Sequence, residues 1–196
     1  GLDLPARPPQ LCTGCPHADS YEALTGVVAE YETSVVTSDI GCYTLGALPP
    51  YRAIESCVCM GASIGMAKGA SDAGLRPAVA VIGDSTFLHS GVTGLMDAVA
   101  TDADITVLIL DNEIVAMTGL QPTVLGGRLR PIVEGLGVEP EHVRIVEVSP
   151  RDNTDLVAAL RDEIAHPGLS VVVAVRECIE ATKAERRRRR EQEASS

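Results

Sequence analysis

The chain has 196 residues, 45% hydrophobic and 22% charged, which suits one domain with a buried core and excludes a disordered polypeptide. A formal net charge of −11, with one Phe, four Tyr and no Trp, argues against binding nucleic acid or stacking its bases. The apolar runs are far shorter than a membrane span, and the first residues lack a signal-peptide pattern. We therefore expect a cytoplasmic protein that binds no membrane.

Strand patterns alternate with helix patterns along the chain, after an extended, Pro-rich segment at residues 1–17. Helices are predicted over residues 21–31, 61–73, 92–101, 132–136 and 154–166. Strands are predicted over residues 34–38, 53–56, 78–82, 105–110, 143–148 and 169–175. Residues 113–130 are predicted to form a loop that is Gly-rich towards its end. This alternation predicts an α/β fold, in which a parallel sheet carries helices on both faces.

One domain is predicted to occupy most of the chain, over residues 1–180, followed by a charged C-terminal tail over residues 181–196. The tail contains the run Arg186–Arg190, five of the 16 basic residues. Such a run is typical of a solvated helix or a frayed chain end, and a contact with a partner is the alternative.

The chemically distinctive residues follow the predicted strands. In a parallel sheet the carboxyl ends of the strands meet at one edge, and ligands bind in the crevice outside it. The segment with Cys12 and Cys15 precedes a helix, so it belongs to the same edge. The segments that follow strands there are residues 39–42, 56–61, 83–85, 111–119 and 176–180. The sequence therefore predicts one ligand site at this edge.

Two polar motifs end neighbouring strands at that edge. Gly83-Asp84-Ser85 follows one strand and Asp111-Asn112 the next, with 25 residues between Ser85 and Asp111, which fits one helix and one strand. Asp84 and Asn112 should therefore lie side by side. Their hard oxygen donors suit Mg²⁺, and the ion would neutralise a bound diphosphate. Each motif alone is more typical of a turn or a strand cap than of a binding site, but together they predict a magnesium–diphosphate site.

Six cysteines are the most informative feature of the composition, and in such a chain they are poor candidates for structural disulfides. Cys12-x-x-Cys15 is compatible with a redox pair, half of a zinc site or ligands of an iron–sulfur cluster. The Pro-rich segment before it disfavours a thioredoxin-like pair. Cys57-x-Cys59 is a poor second half of a zinc site. A cluster and a set of buried free thiols remain as alternatives.

Five segments, in their order along the chain, carry a family resemblance. They read LCTGCPH, DIGCYTLG, CMGASIGMAKGA, GDSTFLHSG and LDNEIVAMTGLQP. They resemble the C-terminal thiamine-diphosphate domain of the indolepyruvate-type 2-oxoacid ferredoxin oxidoreductases, densely over residues 5–125 and loosely beyond. Ser85 and Asp111 depart from the more general GDG…NN signature of thiamine-diphosphate enzymes, as is usual in the ferredoxin-linked branch.

The resemblance implies thiamine diphosphate, Mg²⁺ and a [4Fe–4S] cluster as cofactors of a thiamine-diphosphate-binding fold. It assigns Mg²⁺ to Asp84, Asn112 and the backbone carbonyl of Ile114. It assigns the cluster to Cys12, Cys15, Cys42 and Cys178, and Cys59 is the rival for the fourth position. The residues that it places around the organic cofactor are Gly41, Cys42, Met60, Gly61, Ala62, Gly83, Asp84, Ser85, Thr86, Asn112, Ile114 and Thr118.

The implied reaction is oxidative decarboxylation of a 2-oxoacid to an acyl-CoA, with electrons passed through the cluster to ferredoxin. In this family the Glu that activates thiamine lies on a pyrimidine-binding domain, and no glutamate of this chain has that sequence context. We therefore expect a partner domain or subunit in an oligomeric enzyme, and we assign no catalytic residue here. For His17 and His89, capping or hydrogen-bonding roles are as open as catalytic ones.

Two alternatives remain for the function. One is a β-type subunit of a non-oxidative thiamine-dependent decarboxylase, such as those acting on sulfopyruvate or phosphonopyruvate, and the cysteine set argues against it. The other is a non-catalytic cofactor-binding module, and the intact pair of Asp84 and Asn112 argues against that.

Overall fold

Helices and strands alternate along residues 9–194, which a computed structural model describes. The helices are α1 (Pro16–Val28), α2 (Ala62–Asp72), α3 (Asp84–Thr86), α4 (Val92–Ala100), α5 (Leu129–Gly135), α6 (Thr154–Ala165) and α7 (Ile179–Ala194). The strands are β1 (Val35–Ser38), β2 (Ser56–Cys57), β3 (Ala78–Gly83), β4 (Thr106–Asp111), β5 (Ile114–Val115), β6 (Gln121–Pro122), β7 (Val143–Glu147) and β8 (Ser170–Val175). Residues 1–8 of the predicted domain and 195–196 of the predicted tail lie outside the described residues.

Six strands form one parallel sheet in the order β2-β1-β3-β4-β8-β7, which confirms the predicted α/β fold. The central strands β3 and β4 are buried at every position, as their unbroken apolar runs require between two helical layers. The chain moves from β1 outwards to β2, then returns to β3 on the other side of β1. The loops after β1 and β3 therefore diverge, and a crevice opens between them at the carboxyl edge.

The sheet separates two apolar cores. On one face, Tyr21 and Leu24 of α1 pack with Leu160 of α6. On the other face, Ile64 of α2 packs with Leu95 of α4. All five side chains are fully buried, and each such burial stabilises the fold by about 1.5–3 kcal/mol. The two layers hold the strand ends rigidly, so the loops at the carboxyl edge start from fixed positions.

Two helical segments begin earlier than the sequence predicts. Helix α1 begins at Pro16 rather than at residue 21, because proline suits the first helical position and the extended Cys15 precedes it. The chain is also helical directly after β3, where a π-helical turn, Phe87–Gly91, joins α3 to α4. A Cβ at Gly91 would lie 2.7 Å from the Ile82 side chain, so only glycine allows this turn to pack so closely on β3.

Two further segments differ from the predicted pattern. Strand β2 covers Ser56–Cys57 rather than residues 53–56, because the backbone N–H of Ala53 donates to the Gly46 carbonyl instead of to a strand. The predicted loop over residues 113–130 contains the short antiparallel pair β5–β6. This hairpin folds back over the carboxyl edge of the sheet.

The predicted tail is, over its described residues, part of helix α7. Pairs one turn apart, Lys183 with Glu180 and Arg189 with Glu193, run along it. The run Arg186–Arg190 is exposed, as a solvated helix requires. Among residues 9–194, no helix combines the length and the apolar character needed to cross a membrane.

Candidate functional site

A cavity of about 770 Å³ opens at the carboxyl edge of the sheet, in the crevice between the loops after β1 and β3. Gly61 and Ala62, two of the predicted cofactor-binding residues, do not line it. The N–H of Gly61 donates to Asp39 over 3.0 Å. The other predicted cofactor-binding residues all line the cavity: Gly41, Cys42, Met60, Gly83, Asp84, Ser85, Thr86, Asn112, Ile114 and Thr118.

The ring of Tyr43 packs against two glycines at the mouth of the crevice. A Cβ at Gly41 would lie 2.2 Å from this ring, and one at Gly83 would lie 2.5 Å from it. Neither position has room for a side chain, so bare backbone borders the cavity at the ends of β1 and β3. Both glycines are predicted site residues, whereas no sequence pattern indicates the aromatic ring that requires them.

Asp39 is a fully buried carboxylate directly after β1, and it holds this part of the wall in place. It accepts hydrogen bonds from the hydroxyl of Tyr43, from Ser63 Oγ over 2.8 Å and from the Gly61 N–H. Burial raises the pKa of Asp39, and these donors oppose that rise. The network ties the loop after β1 to the start of α2. A charged residue following a buried strand is the one sequence signal that could have singled out Asp39.

Two buried carboxylates, Asp84 and Asp111, neighbour each other at the ends of β3 and β4. They are 3% and 5% exposed. Burial raises the pKa of Asp111 to about 6, with the charge of Asp84 contributing further, and burial also raises the pKa of Asp84. Within residues 9–194, neither carboxylate forms an ion pair with a Lys, Arg or His side chain. A divalent cation would stabilise such a pair, because it would neutralise the two buried negative charges.

Asn112 lies beside this pair and is 7% exposed. Its Oδ1 accepts the N–H of Ile114 over 3.2 Å, and its Nδ2 lies 3.3 Å from Nε2 of His17. Asp84, Asn112 and Ile114, the predicted Mg²⁺ ligands, all line the same cavity. The fold thus brings the predicted metal-binding residues together.

Thr123 is a residue of the site that the sequence analysis misses. Its hydroxyl donates to Oδ2 of Asp84 over 2.6 Å and lies 2.9 Å from the hydroxyl of Ser85. Thr123 follows strand β6, so these contacts dock the β5–β6 hairpin onto the polar end of β3. No local pattern marks a threonine 39 residues from its partner in the sequence.

Apolar side chains from the hairpin region form the outer rim of the cavity. Met117 is 68% exposed and Val124 is 89% exposed, and both line the opening. His89 also lines the cavity, on its exposed side. His17 is instead buried, and this burial, with the nearby Arg176, lowers the pKa of His17 to about 4. The two histidines at this edge therefore occupy very different environments.

The cysteines fall into two groups. The pKa of Cys15 is raised to about 11, mainly by burial and further by the charges of Cys12 and Cys178. Burial also raises the pKa of Cys42, and Cys178 and Cys12 again contribute. The pKa of Cys57 is raised mainly by burial, with a contribution from Cys59 instead of from Cys12 or Cys178. The four predicted cluster ligands are thus linked by their effects on the pKa values of Cys15 and Cys42, but no three Cys, His, Asp or Glu side chains within residues 9–194 group as ligands of a single metal ion.

Arg176 holds the segment between Cys12 and Cys15 against the end of β8. Its guanidinium donates to the Gly14 carbonyl over 2.7 Å and pairs with the carboxylate of Asp19. Because Arg176 is two residues before Cys178, these contacts join the two cysteine-bearing segments. The contact explains how residues from opposite ends of the sequence meet at one edge.

Comparison with known proteins agrees with this geometry. Residues 39–174 match the family described as thiamine pyrophosphate enzyme, C-terminal TPP binding domain. The indolepyruvate oxidoreductase subunit IorA of Archaeoglobus fulgidus is 41% identical over 95% of this chain, and that of Methanothermobacter thermautotrophicus is 35% identical over 95%. The chain spans 31% and 32% of the lengths of these relatives.

Solved structures share the fold at low sequence identity. A 2-oxoglutarate:ferredoxin oxidoreductase from Magnetococcus marinus superposes with a TM-score of 0.72 at 18% identity, covering 89% of this chain and 66% of that one. A putative thiamin diphosphate-dependent enzyme from Mycobacterium smegmatis gives 0.59 at 23% identity, over 88% and 33% of the two chains. The fold, the cavity between the loops after β1 and β3 and the match over residues 39–174 lead to one conclusion: the chain belongs to the thiamine pyrophosphate enzymes, as a C-terminal thiamine-pyrophosphate-binding domain.

Proposed function

We propose that this chain is the cofactor-binding domain of an indolepyruvate-type 2-oxoacid:ferredoxin oxidoreductase, which converts a 2-oxoacid to an acyl-CoA. The observation that carries the proposal is that Cys42 lines the cavity and that Cys12 and Cys178 affect the pKa of both Cys42 and Cys15. A non-oxidative decarboxylase has no electrons to remove and needs no such group. The relatives named indolepyruvate oxidoreductase agree with this choice.

Mg²⁺ would be held by the carboxylate of Asp84, the amide oxygen of Asn112 and the carbonyl of Ile114. The support for this is that Asp84, Asn112 and Ile114 line one cavity, where the buried carboxylates of Asp84 and Asp111 offer negative charge that a divalent cation would neutralise. When bound, thiamine diphosphate supplies an electron sink for the pair left by decarboxylation. The residues of this chain would bind the diphosphate at the bare backbone of Gly83, and Leu88 and Val92 in the cavity wall would exclude water.

A [4Fe–4S] cluster would be held by the four neighbouring cysteines. Helix α1 begins directly after Cys15, so its N-terminal amides would face the anionic cluster. Cys178 is favoured over Cys59 as the fourth ligand, because Cys178 influences Cys15 and Cys42 while Cys59 influences Cys57.

A partner domain or subunit would complete the active site. Among the described residues, no glutamate lines the cavity, so the group that activates thiamine would come from elsewhere. The exposed Met60, Met117 and Val124 at the rim offer an apolar surface for such a partner to cover. Ferredoxin, the 2-oxoacid and coenzyme A complete the proposed set of partners, in an oligomeric enzyme.

The proposal is tested by anaerobic turnover. The intact enzyme, with its pyrimidine-side partner, should reduce a viologen dye when supplied with a 2-oxoacid and coenzyme A, whereas this chain alone should not. Comparing indolepyruvate with pyruvate would identify the substrate class. Release of CO₂ without dye reduction would contradict the proposal and favour the non-oxidative decarboxylase.

A further inference from the structure

We propose that His17 is a positioning residue that fixes the side-chain amide of Asn112, so that its oxygen stays on the side of the proposed magnesium ligands. The inference rests on the proposed Mg²⁺ site and assigns a function to a histidine whose role the sequence leaves open. Its basis is the direct contact between His17 Nε2 and Asn112 Nδ2, at 3.3 Å.

The orientation of the Asn112 amide follows from hydrogen-bond chemistry. The N–H of Ile114 can only donate, so the amide atom 3.2 Å from it must be the oxygen. The other amide atom, which faces His17, is therefore the nitrogen and can only donate. Nε2 of His17 must accept, which places the ring proton on Nδ1. In this tautomer His17 holds the amide nitrogen and so reinforces the orientation that the Ile114 N–H sets.

The surroundings of His17 hold its ring in one position. The residue is 4% exposed at the second position of helix α1, and its ring meets the Tyr43 ring edge-on, with centroids 6.2 Å apart at 88°. Helix α1 is itself anchored by the apolar core, and Tyr43 by its hydroxyl contact with Asp39. A ring fixed in this way can orient a neighbouring ligand side chain, as groups around a metal's direct ligands commonly do.

His17 also connects the two proposed cofactor sites. It lies two residues after Cys15, and Arg176 fixes the preceding segment through the Gly14 carbonyl. The contact joins the start of α1 to the end of β4, which are 95 residues apart in the sequence.

A matched pair of variants separates hydrogen bonding from packing. His17→Gln keeps an acceptor oxygen. His17→Met introduces a side chain of nearly the same size and shape as Gln, but it offers only a weakly accepting thioether. Ser20→Ala is the control on the same helix, because the Ser20 hydroxyl bonds to the Pro16 carbonyl within α1, over 3.2 Å. The measurement is the Mg²⁺ concentration needed for half-maximal binding of thiamine diphosphate, by calorimetry on the intact enzyme with its partner.

We expect H17M to need at least about tenfold more Mg²⁺ than H17Q, and H17Q to stay within about threefold of the wild type. S20A should match the wild type. Equal losses in H17M and H17Q would show that His17 only fills space, and wild-type behaviour of H17M would equally overturn the inference.

Thermal unfolding checks that each variant is folded. If H17M does not fold, His17→Asn takes its place, because its amide is one bond shorter and falls short of Asn112; the same tenfold loss is expected. Binding by the wild type that does not depend on Mg²⁺ would instead contradict the proposed metal site, so the two failures are distinguishable.

Discussion

Replacing Asp111 by Asn should stabilise the metal-free protein at neutral pH. Asp111 is buried beside Asp84, and burial, followed by the charge of Asp84, raises the pKa of Asp111 from 3.8 to about 6. The folded state therefore holds this proton more tightly than the unfolded state. The resulting stability is fully present below about pH 4 and is lost as the pH rises through about 6. At about 1.4 kcal/mol for each factor of ten in proton affinity, the loss at pH 7.5 is about 3 kcal/mol.

The substitution removes the charge and keeps the local hydrogen bond. Oδ1 of Asp111 accepts the N–H of Glu113 over 3.2 Å, and the amide oxygen of Asn can accept it as well. The variant should thus differ from the wild type mainly in the cost of burying the Asp111 charge, to which repulsion by Asp84 adds. Binding of thiamine diphosphate with Mg²⁺ should reduce this difference in stability. The cation would neutralise the Asp111 charge in the wild type, whereas the variant has no charge there to neutralise.

Urea unfolding at two pH values, in the presence of EDTA, measures this effect. The Asp111→Asn variant should be more stable than the wild type by about 2–3 kcal/mol at pH 7.5 and by less than about 1 kcal/mol at pH 4.5. Asp102→Asn is the control, because Asp102 is exposed and its positive φ suits Asn. A gain that does not change with pH, or no gain at pH 7.5, would refute the reasoning.

Two other substitutions test the polar and the tightly packed parts of the cavity. Asp84→Asn should weaken thiamine diphosphate binding in the presence of Mg²⁺ by at least about tenfold, or about 1.4 kcal/mol, as measured by calorimetry. EDTA should have the same effect on the wild type. Unchanged affinity in the variant would remove Asp84 from the metal site. Gly41→Ala should destabilise the fold by about 1–3 kcal/mol in urea, because its Cβ would lie 2.2 Å from the Tyr43 ring. Gly26→Ala is its control: Gly26 is in α1, and a Cβ there would have no atom within 4 Å outside its own helix. A gain of up to about 1 kcal/mol is therefore expected at Gly26, and equal effects at both positions would contradict the packing argument.

The strand ends were the most predictable part of the site. Apolar runs locate β3 and β4 to within a residue or two, and a parallel sheet then brings their carboxyl ends to one edge. Asp84 and Asn112 directly follow or end these strands, so sequence spacing alone suffices to place them together. The same argument brings Cys178 to this edge, because it follows β8.

Contacts between distant segments could not be predicted. Thr123 reaches Asp84 only because the β5–β6 hairpin folds back over the sheet, and the sequence predicts a loop there. The Tyr43 ring fills the space above Gly41 and Gly83, which requires the three-dimensional path of the loop after β1. In the sequence, Asp111 is only a departure from the GDG…NN signature. In the fold, it is a second buried carboxylate beside Asp84.

The iron content of anaerobically reconstituted protein tests the central claim most directly, because an iron–sulfur cluster separates a ferredoxin-linked oxidoreductase from a non-oxidative decarboxylase. We expect about four irons per chain and the broad absorption of a [4Fe–4S] cluster. The Cys178→Ser variant should lose both signals, and the Cys59→Ser variant should keep them. Stoichiometric zinc without iron, or no bound metal at all, would contradict the account.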